Sequence, residues 1–357
     1  MTTPPDVALS RLGQIKGSGA TWGPGATGLD ADRALMLKLG SAEILDAFLT
    51  SCVFKGKTRE RNIRGGKSVA FPILGKQSAR YHQPGTPILG EGNAPSDINE
   101  RVISLDALMI ADKAIYNTDE LMTYFDVRQD YTRQLGQSLA VEWDKRVARM
   151  IYAAATNTTE PLNKDGGNPP KGPTDNTGRI GSVVTLPAGY GSAATKQAKG
   201  DFLVDAITDA RIALEKKDVG IEGMYAVCTP EAFFEITSSS RSINADFNGA
   251  SGGNGTIANG VTAQVMGIPL YMSNHVEQPA YSLVAGDYNA DYAQDLSKCK
   301  ILVFHREAVG VLTLLQPSLQ LTGPEFRVQF QSDLMVARQA IGMGVLRAEC
   351  AVAIETS

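Results

Sequence analysis

With 357 residues, 43% of them hydrophobic, the chain is long enough for two or three ordinary domains and apolar enough for a real core, which excludes an intrinsically disordered protein. A formal net charge of -4 excludes the basic excess of a free-standing nucleic-acid binder. The four cysteines, Cys52, Cys228, Cys299 and Cys350, are far apart without metal-ligand spacing, the start MTTPPDVALSRLGQIKG lacks signal-peptide order, and no run approaches a membrane span, so a protein of cytosol-like water with reduced thiols is expected.

Residues 1–30 are rich in Gly, Thr and Pro and read as an extended arm. Gly23, Gly25 and Gly28 spell GxGxxG there, but Pro24 interrupts it and no apolar strand precedes it, as a dinucleotide turn requires. Leu35, Leu39, Ile44, Leu45 and Phe48 predict one or two short helices broken at Gly40.

A basic run follows, with Lys55, Lys57, Arg59, Arg61, Arg64 and Lys67 relieved only by Glu60. Such runs are most often solvated faces. Ser68 to His82, carrying Lys76 and Arg80, and Asp97 to Asn117 both read as extended segments flanking a turn-rich tip, Gln83 to Ser96. The unit is predicted to be a long hairpin in which Pro72 takes an edge or bulge position. Two strands of that length do not stabilise themselves in water, so the hairpin must lie on something else. Its exit is acidic, with Glu91, Asp97, Glu100, Asp106, Asp112, Asp119, Glu120 and Asp126. A basic entry and an acidic exit on one projecting unit predict head-to-tail contact between neighbouring copies, with Lys55, Lys57, Arg59, Arg61, Arg64, Lys67, Lys76, Arg80, Glu91, Asp97 and Glu100 as the contact candidates.

Asp126 to Thr156 has no proline and one glycine, Gly136, and predicts a single helix about 45 Å long. Asp126 is placed to cap it, with Gln129 at capping-box spacing, and Glu142 precedes Arg146 by one turn. Its larger apolar residues, Val127, Tyr131, Leu135, Leu139, Trp143 and Val147, recur every four positions, so the stripe drifts around the helix and its two ends should face different partners. One end is expected under the strands from Phe326 onward, the other near the base of the hairpin.

Asn157 to Lys199 reads as a long connection around a strand at Ile180 to Leu186. A helix is predicted from Phe202 to Lys217 with Asp201 as cap, then a buried strand from Met224 to Cys228. Thr229 and Pro230 form an N-cap and N1 pair opening a helix through Ile236. Ser238 to Gly260 reads as a surface loop. Strands are predicted at Val261–Met266, Pro269–Ser273, Tyr281–Ala285, Ile301–His305, Val309–Leu315 and Phe326–Gln331, giving an α+β chain.

No catalytic, cofactor-binding or metal site emerges. The three histidines, His82, His275 and His305, lie far apart, and no HExxH, GxSxG, GxxxxGK[ST] or CxxC pair is present. Asp287, Asn289 and Asp291 begin like a calcium loop, but Tyr292 replaces the turn glycine and Lys298 stands where a bidentate Glu is needed. Whether carboxylates pair in space is left open.

Several segments carry a resemblance in order. GKSVAFPILG at Gly66 to Gly75 resembles the first strand of the extended loop, and DVRQDYTRQLGQSLA at Asp126 to Ala140 the start of the spine helix, in major capsid proteins of short-tailed, podovirus-type (autographivirus) phages with the HK97-type fold. VMGIPLYMSNHV at Val265 to Val276 is similar to the strand pair of the axial domain; HREAVGVL at His305 to Leu312 and QSDLMVARQAIGMGVLRAECAVAI at Gln331 to Ile354 resemble the closing strands of the peripheral domain. The resemblance implies an α+β HK97-like subunit with an N-terminal arm at 1–55, an extended β-hairpin loop at 56–117, a peripheral domain at 118–218 and 302–357 carrying the spine helix 126–156, and an axial domain at 219–301. It further implies self-assembly into hexamers and pentamers of an icosahedral phage head shell. The partners implied are a scaffolding protein and portal during assembly in the host cytoplasm and packaged double-stranded DNA held non-specifically on the inner face, with no cofactor and no membrane. An encapsulin-like compartment shell and an α+β enzyme are the alternative readings.

Overall fold

The computed structural model describes residues 48, 52–74, 81–85, 87, 98–116, 127–157, 180–239 and 264–356. Outside them lie the proposed Asp126 cap, most of the predicted helices of residues 31–54, most of the hairpin tip, Lys76, Arg80, Glu91, Asp97, and most of the 157–199 and 238–260 connections. In chain order the strands and helices are β1 (Arg59–Asn62), β2 (Ser68–Leu74), β3 (Ile98–Ser104), β4 (Met109–Tyr116), α1 (Val127–Thr156), β5 (Ser182–Thr185), α2 (Ala188–Ser192), α3 (Lys196–Glu215), β6 (Met224–Cys228), α4 (Pro230–Thr237), β7 (Gln264–Val265), β8 (Ile268–Met272), β9 (Cys299–His305), β10 (Val309–Leu321), α5 (Pro324–Phe330), β11 (Ser332–Val345) and β12 (Ala351–Glu355).

The chain forms two compact units. The described part of one comes from Met109–Ala140 and Leu315–Gln339. Here β4 pairs antiparallel with β11, from Met109 opposite Gln339 to Tyr116 opposite Ser332. The start of α1 joins it through Arg128, whose guanidinium is 2.7 Å from the Asp333 carboxylate, while Lys113 of β4 lies 5.3 Å over the Tyr131 ring. This is the end of the helix expected near the strands that follow Phe326.

The larger unit comprises Cys52–Leu108, Val141–Leu314 and Ala340–Ser357. Its centre is a six-stranded sheet in the order β5-β12-β9-β6-β8-β7. Ile301, Leu302, Val303 and Phe304 in β9 are all fully buried, so both faces of that strand are covered, as an unbroken apolar run requires. On one face α3 contributes Leu203, Ile207, Ala210 and Leu214 and α4 contributes Ala232 and Ile236 to a core with Met224, Ala226, Val303, Val352 and Ile354. The sheet unites residues 182–185 and 351–355 with 224–228 and 268–272.

The long helix forms as its sequence predicts, over 30 residues. Leu135, Leu139, Trp143 and Val147 are buried, and towards the C-terminal end Met150, Ile151, Ala154 and Ala155 are too. Small residues allow this close packing: a Cβ on Gly181 would stand 2.2 Å from the Ala155 carbonyl oxygen.

Four expectations are corrected. Helix α3 starts at Lys196, not Phe202, with Thr195 rather than Asp201 as its cap; the Thr195 hydroxyl accepts from the Ala198 N–H at 3.3 Å. Its first turn is polar and solvent-facing, so it leaves no apolar period to read. Phe326–Gln331 is not a strand but the body of α5: Pro324 takes the first helical position, and Phe326 and Phe330, one turn apart, bring their ring centroids to 4.5 Å. Tyr281–Ala285 is a turn, closed by the Asp287 N–H donating to the Val284 carbonyl at 3.1 Å and by the Asp287 carboxylate accepting from the Val284 N–H at 3.1 Å. Asp97–Asn117 is not one arm. Strand β3 ends at Ser104, and the following backbone donates from Asp106 to Ile341 and from Ala107 to Gly286, so β4 leaves the hairpin altogether.

Candidate assembly surfaces

The hairpin exists at its root. Strands β2 and β3 pair antiparallel from Ser68 opposite Ser104 to Leu74 opposite Ile98, with Pro72 opposite Glu100. They form a two-stranded sheet, so Pro72 sits on an edge strand as its missing N–H demands. The support a lone hairpin needs is present: Phe71, Ile103 and Leu105 pack with Leu312 and Leu346, flanked by Ile63 and Val69. Ile103 fits a slot made by two glycines, its side chain within 3 Å of where a Cβ would stand on either Gly310 or Gly344.

The basic run contains β1, which pairs parallel with β10 from Arg59 opposite Gly310 to Asn62 opposite Thr313. The sequence concealed this strand, because a row of charges has no apolar alternation to mark it. Two of the contact candidates are used inside the subunit. Lys55 bonds Glu60 at 2.7 Å, and Lys57 donates to the Val53 carbonyl and lies 3.7 Å over the Tyr271 ring. Arg59, Arg61, Arg64 and Lys67 are exposed, the first two about one stacking distance, 5.8 Å, from the Phe71 ring. Glu100 is exposed on β3. These residues make a charged rim around the apolar root.

Two buried polar nodes fix the root to α1. Asp106, counted above with the acidic exit, instead turns inward with a side chain only 5% exposed. It accepts from the Tyr292 hydroxyl at 2.6 Å and the Tyr288 N–H at 3.2 Å. Arg146 lies 3.9 Å from it, bonds Asp287 at 2.7 Å, and reaches Glu142 at 3.3 Å in the spacing the sequence predicts. Burial pushes the Asp106 carboxyl up, and its hydrogen bonds only partly offset this. Burial acts the same way on Asp287, but the Val284 N–H, the Tyr281 hydroxyl and Arg146 outweigh it and hold that carboxyl below its ordinary value. In the second node the fully buried Asp144 accepts from the Val53 and Phe54 N–H groups at 2.9 and 3.4 Å, with His275 Nδ1 at 3.6 Å. Asp144, Arg146 and Asp106 thus place the far end of α1 at the hairpin base, and Met150 there meets Asn289, a different neighbour from that of Tyr131.

Among the described residues no group of three or more His, Cys, Asp or Glu is placed to hold a metal ion, and no helix is long and apolar enough to cross a membrane. Burial raises the Cys228 thiol to about 12, far from nucleophilic thiolate.

Comparisons with known proteins place the chain in a family. The family profile described as Gp10A-like, major capsid protein, matches residues 70–355. The major capsid protein of Escherichia phage T7 is 30% identical over 348 residues, 94% of this chain and 96% of that one. Among solved structures, the capsid of cyanophage P-SCSP1u superposes with a TM-score of 0.71 at 29% identity, covering 86% of this chain and 88% of that one. The mature capsid of bacteriophage PhiM1 gives 0.67 at 15% identity over 86% and 87%, which speaks for the fold alone. The architecture is the HK97-type capsid fold, and the chain belongs to the Gp10A-like family of major capsid proteins, the subunits of the phage head shell.

Proposed function

We propose that the chain is a non-catalytic subunit whose copies join as hexamers and pentamers into an icosahedral shell around double-stranded DNA. Assembly proceeds in the host cytoplasm on a scaffolding protein and a portal, and the DNA is held non-specifically at the inner face. The observation that carries this reading is the hairpin β2–β3, whose root is locked into the subunit while Arg59, Arg61, Arg64, Lys67 and Glu100 face outward. Of the contact candidates, Lys55 and Lys57 shape the root, and these exposed charges, together with Lys76, Arg80, Glu91 and Asp97, meet the neighbouring copy. The division into arm, extended loop, peripheral and axial parts is kept with one change. The six-stranded sheet with α3 and α4 forms the axial part, taking in residues 182–215 and 351–355; the β4–β11 ladder with the start of α1 forms the peripheral part.

Electron microscopy of the purified recombinant protein tests the reading. Closed shells or capsomer rings support it; a persistent monomer overturns it. Replacing Arg59, Arg61 and Arg64 together by Glu is expected to block assembly while the melting temperature stays close to that of the wild type, because exposed charges contribute little to the fold. Normal assembly by that variant refutes the role given to the basic rim.

A further inference from the structure

Two arginines one turn apart on α1 are treated very differently. Arg146 has carboxylates at 2.7 and 3.3 Å. Arg149 is only 5% exposed, its guanidinium lies 4.1 Å from the Tyr281 ring, and its buried Nε has no hydrogen-bond acceptor. Burial lowers its pKa, and the fields of Glu142 and Tyr281 oppose this without reversing it. A buried cation held by an aromatic face but lacking a hydrogen-bonded carboxylate is costly for an isolated subunit. It is a ready receptor for a carboxylate brought from outside.

The surface beside it shows the same incompleteness. The turn that carries Tyr281 exposes Leu283, Val284 and Tyr288 by 45%, 56% and 64%. These are not the residues of a loose loop. Asp287 accepts from both the Tyr281 hydroxyl, at 2.8 Å, and the Val284 N–H, and Asp106 accepts from the Tyr288 N–H. The apolar knuckle is therefore rigid before anything binds, which lowers the entropic cost of docking. Lys67 adds a second cation, 5.7 Å from the Tyr288 ring. Clustered Tyr, Arg and aliphatic side chains are the composition of a protein interface hot spot.

We propose that this knuckle is a docking point for a second copy of the chain, which covers Leu283, Val284 and Tyr288 with apolar side chains and supplies a carboxylate to Arg149. The assignment rests on the shell-subunit reading. Its occupant follows from chemistry: a DNA backbone could satisfy the guanidinium but would gain nothing from three exposed apolar side chains, whereas a protein segment uses both. The chain itself carries more acidic than basic residues, 38 against 34, so carboxylates are available on the partner copy.

The test compares wild type with Arg149→Lys, Arg149→Gln and the double variant Val284→Ser/Tyr288→Ser, by sedimentation velocity and electron microscopy across a concentration series. Thermal melting checks the fold, and retention of double-stranded DNA is followed in parallel. The double variant alters only exposed side chains and is expected to melt with the wild type, yet to need at least about tenfold more protein to assemble. Arg149→Gln should melt no lower than wild type and show a similar assembly defect, with Arg149→Lys intermediate because it keeps the charge but not the planar fork. If Arg149→Gln fails to fold, the double variant decides. Assembly of the double variant at wild-type concentration overturns the proposal. So does normal assembly of Arg149→Gln accompanied by loss of DNA retention, which would assign the guanidinium to phosphate. Failure of the wild type to assemble at all sinks the shell reading and the proposal with it, and is recognised by the absence of any difference among variants.

Discussion

Replacing Arg146 by Met is the sharpest perturbation of the hairpin root. The guanidinium is 11% exposed and faces Asp287 at 2.7 Å, itself 2% exposed, and Asp106 at 3.9 Å, 5% exposed. Met keeps much of the volume and removes the only cation paired with these two carboxylates among the described residues. Breaking a buried pair from one side costs about 3–5 kcal/mol, because an uncompensated charge remains in place of the pair. The pH dependence gives the mechanism its signature. In the wild type Asp287 titrates below 3.8, its unfolded value, so its contribution is fully present above that pH and is lost as pH falls through the lower folded value. Without Arg146, burial is less opposed and the folded-state pKa of Asp287 moves up towards its unfolded value, so the variant loses most of that contribution. The deficit of the variant should therefore be largest near pH 7 and smaller near about pH 3, where Asp287 begins to take up its proton. Urea unfolding followed by fluorescence of Trp143, buried on the same helix, measures both values. An equal deficit at the two pH values, or one under about 1 kcal/mol at neutral pH, refutes the argument.

Gly342→Ala would place a Cβ 2.2 Å from the Ser104 carbonyl oxygen and 2.8 Å from the Leu105 Cα; since backbone must move, a loss of about 1–3 kcal/mol or more is expected in thermal melting, with faster amide exchange at Ile103 and Leu105. Asp144→Asn weakens the charged acceptor of the Val53 and Phe54 N–H groups and should cost about 1.5–3 kcal/mol, with exchange at those two amides rising first. Thr229→Ala removes the acceptor of the Ala232 N–H at the start of α4 and should lower stability by about 0.5–2 kcal/mol in denaturant titration, with the secondary-structure content unchanged.

What the sequence made legible is what short-range physics decides. The long helix follows from the missing prolines and the four-residue apolar spacing, and Thr229–Pro230 marks a helix start because both residues act locally. The errors share a cause. FRVQFQ has both a two-residue alternation and a four-residue aromatic pair, and only Pro324 decides between them. The run from Asp97 to Asn117 is extended throughout, yet its two halves take partners more than two hundred residues apart, β2 and β11, which no local pattern encodes. Arg146 was visible as the partner of Glu142, but its stronger bond to Asp287 spans 141 positions and was not. Arg149 offered no signal at all, since an arginine on a helix reads as solvated until its surroundings are known.

The two carboxylates of the root node are graded, and the grading bears on how the hairpin responds to acid. Asp106, raised by burial, takes up a proton before Asp287, which its hydrogen bonds and Arg146 hold low. It is also the one farther from Arg146, at 3.9 Å against 2.7 Å. Once neutral, Asp106 can still accept from the Tyr292 hydroxyl and the Tyr288 N–H, so its hydrogen bonds outlast its charge. The first proton therefore relieves the repulsion between two buried carboxylates without opening the clamp, and only the second, on Asp287, removes the partner of Arg146. Meanwhile Ile103 in its glycine slot and the apolar cluster around Phe71 are indifferent to pH. Acid accordingly loosens the polar side of the root last and the apolar side not at all, so the hairpin keeps its anchorage at Ile103 under conditions that would release a hairpin held by ion pairs alone.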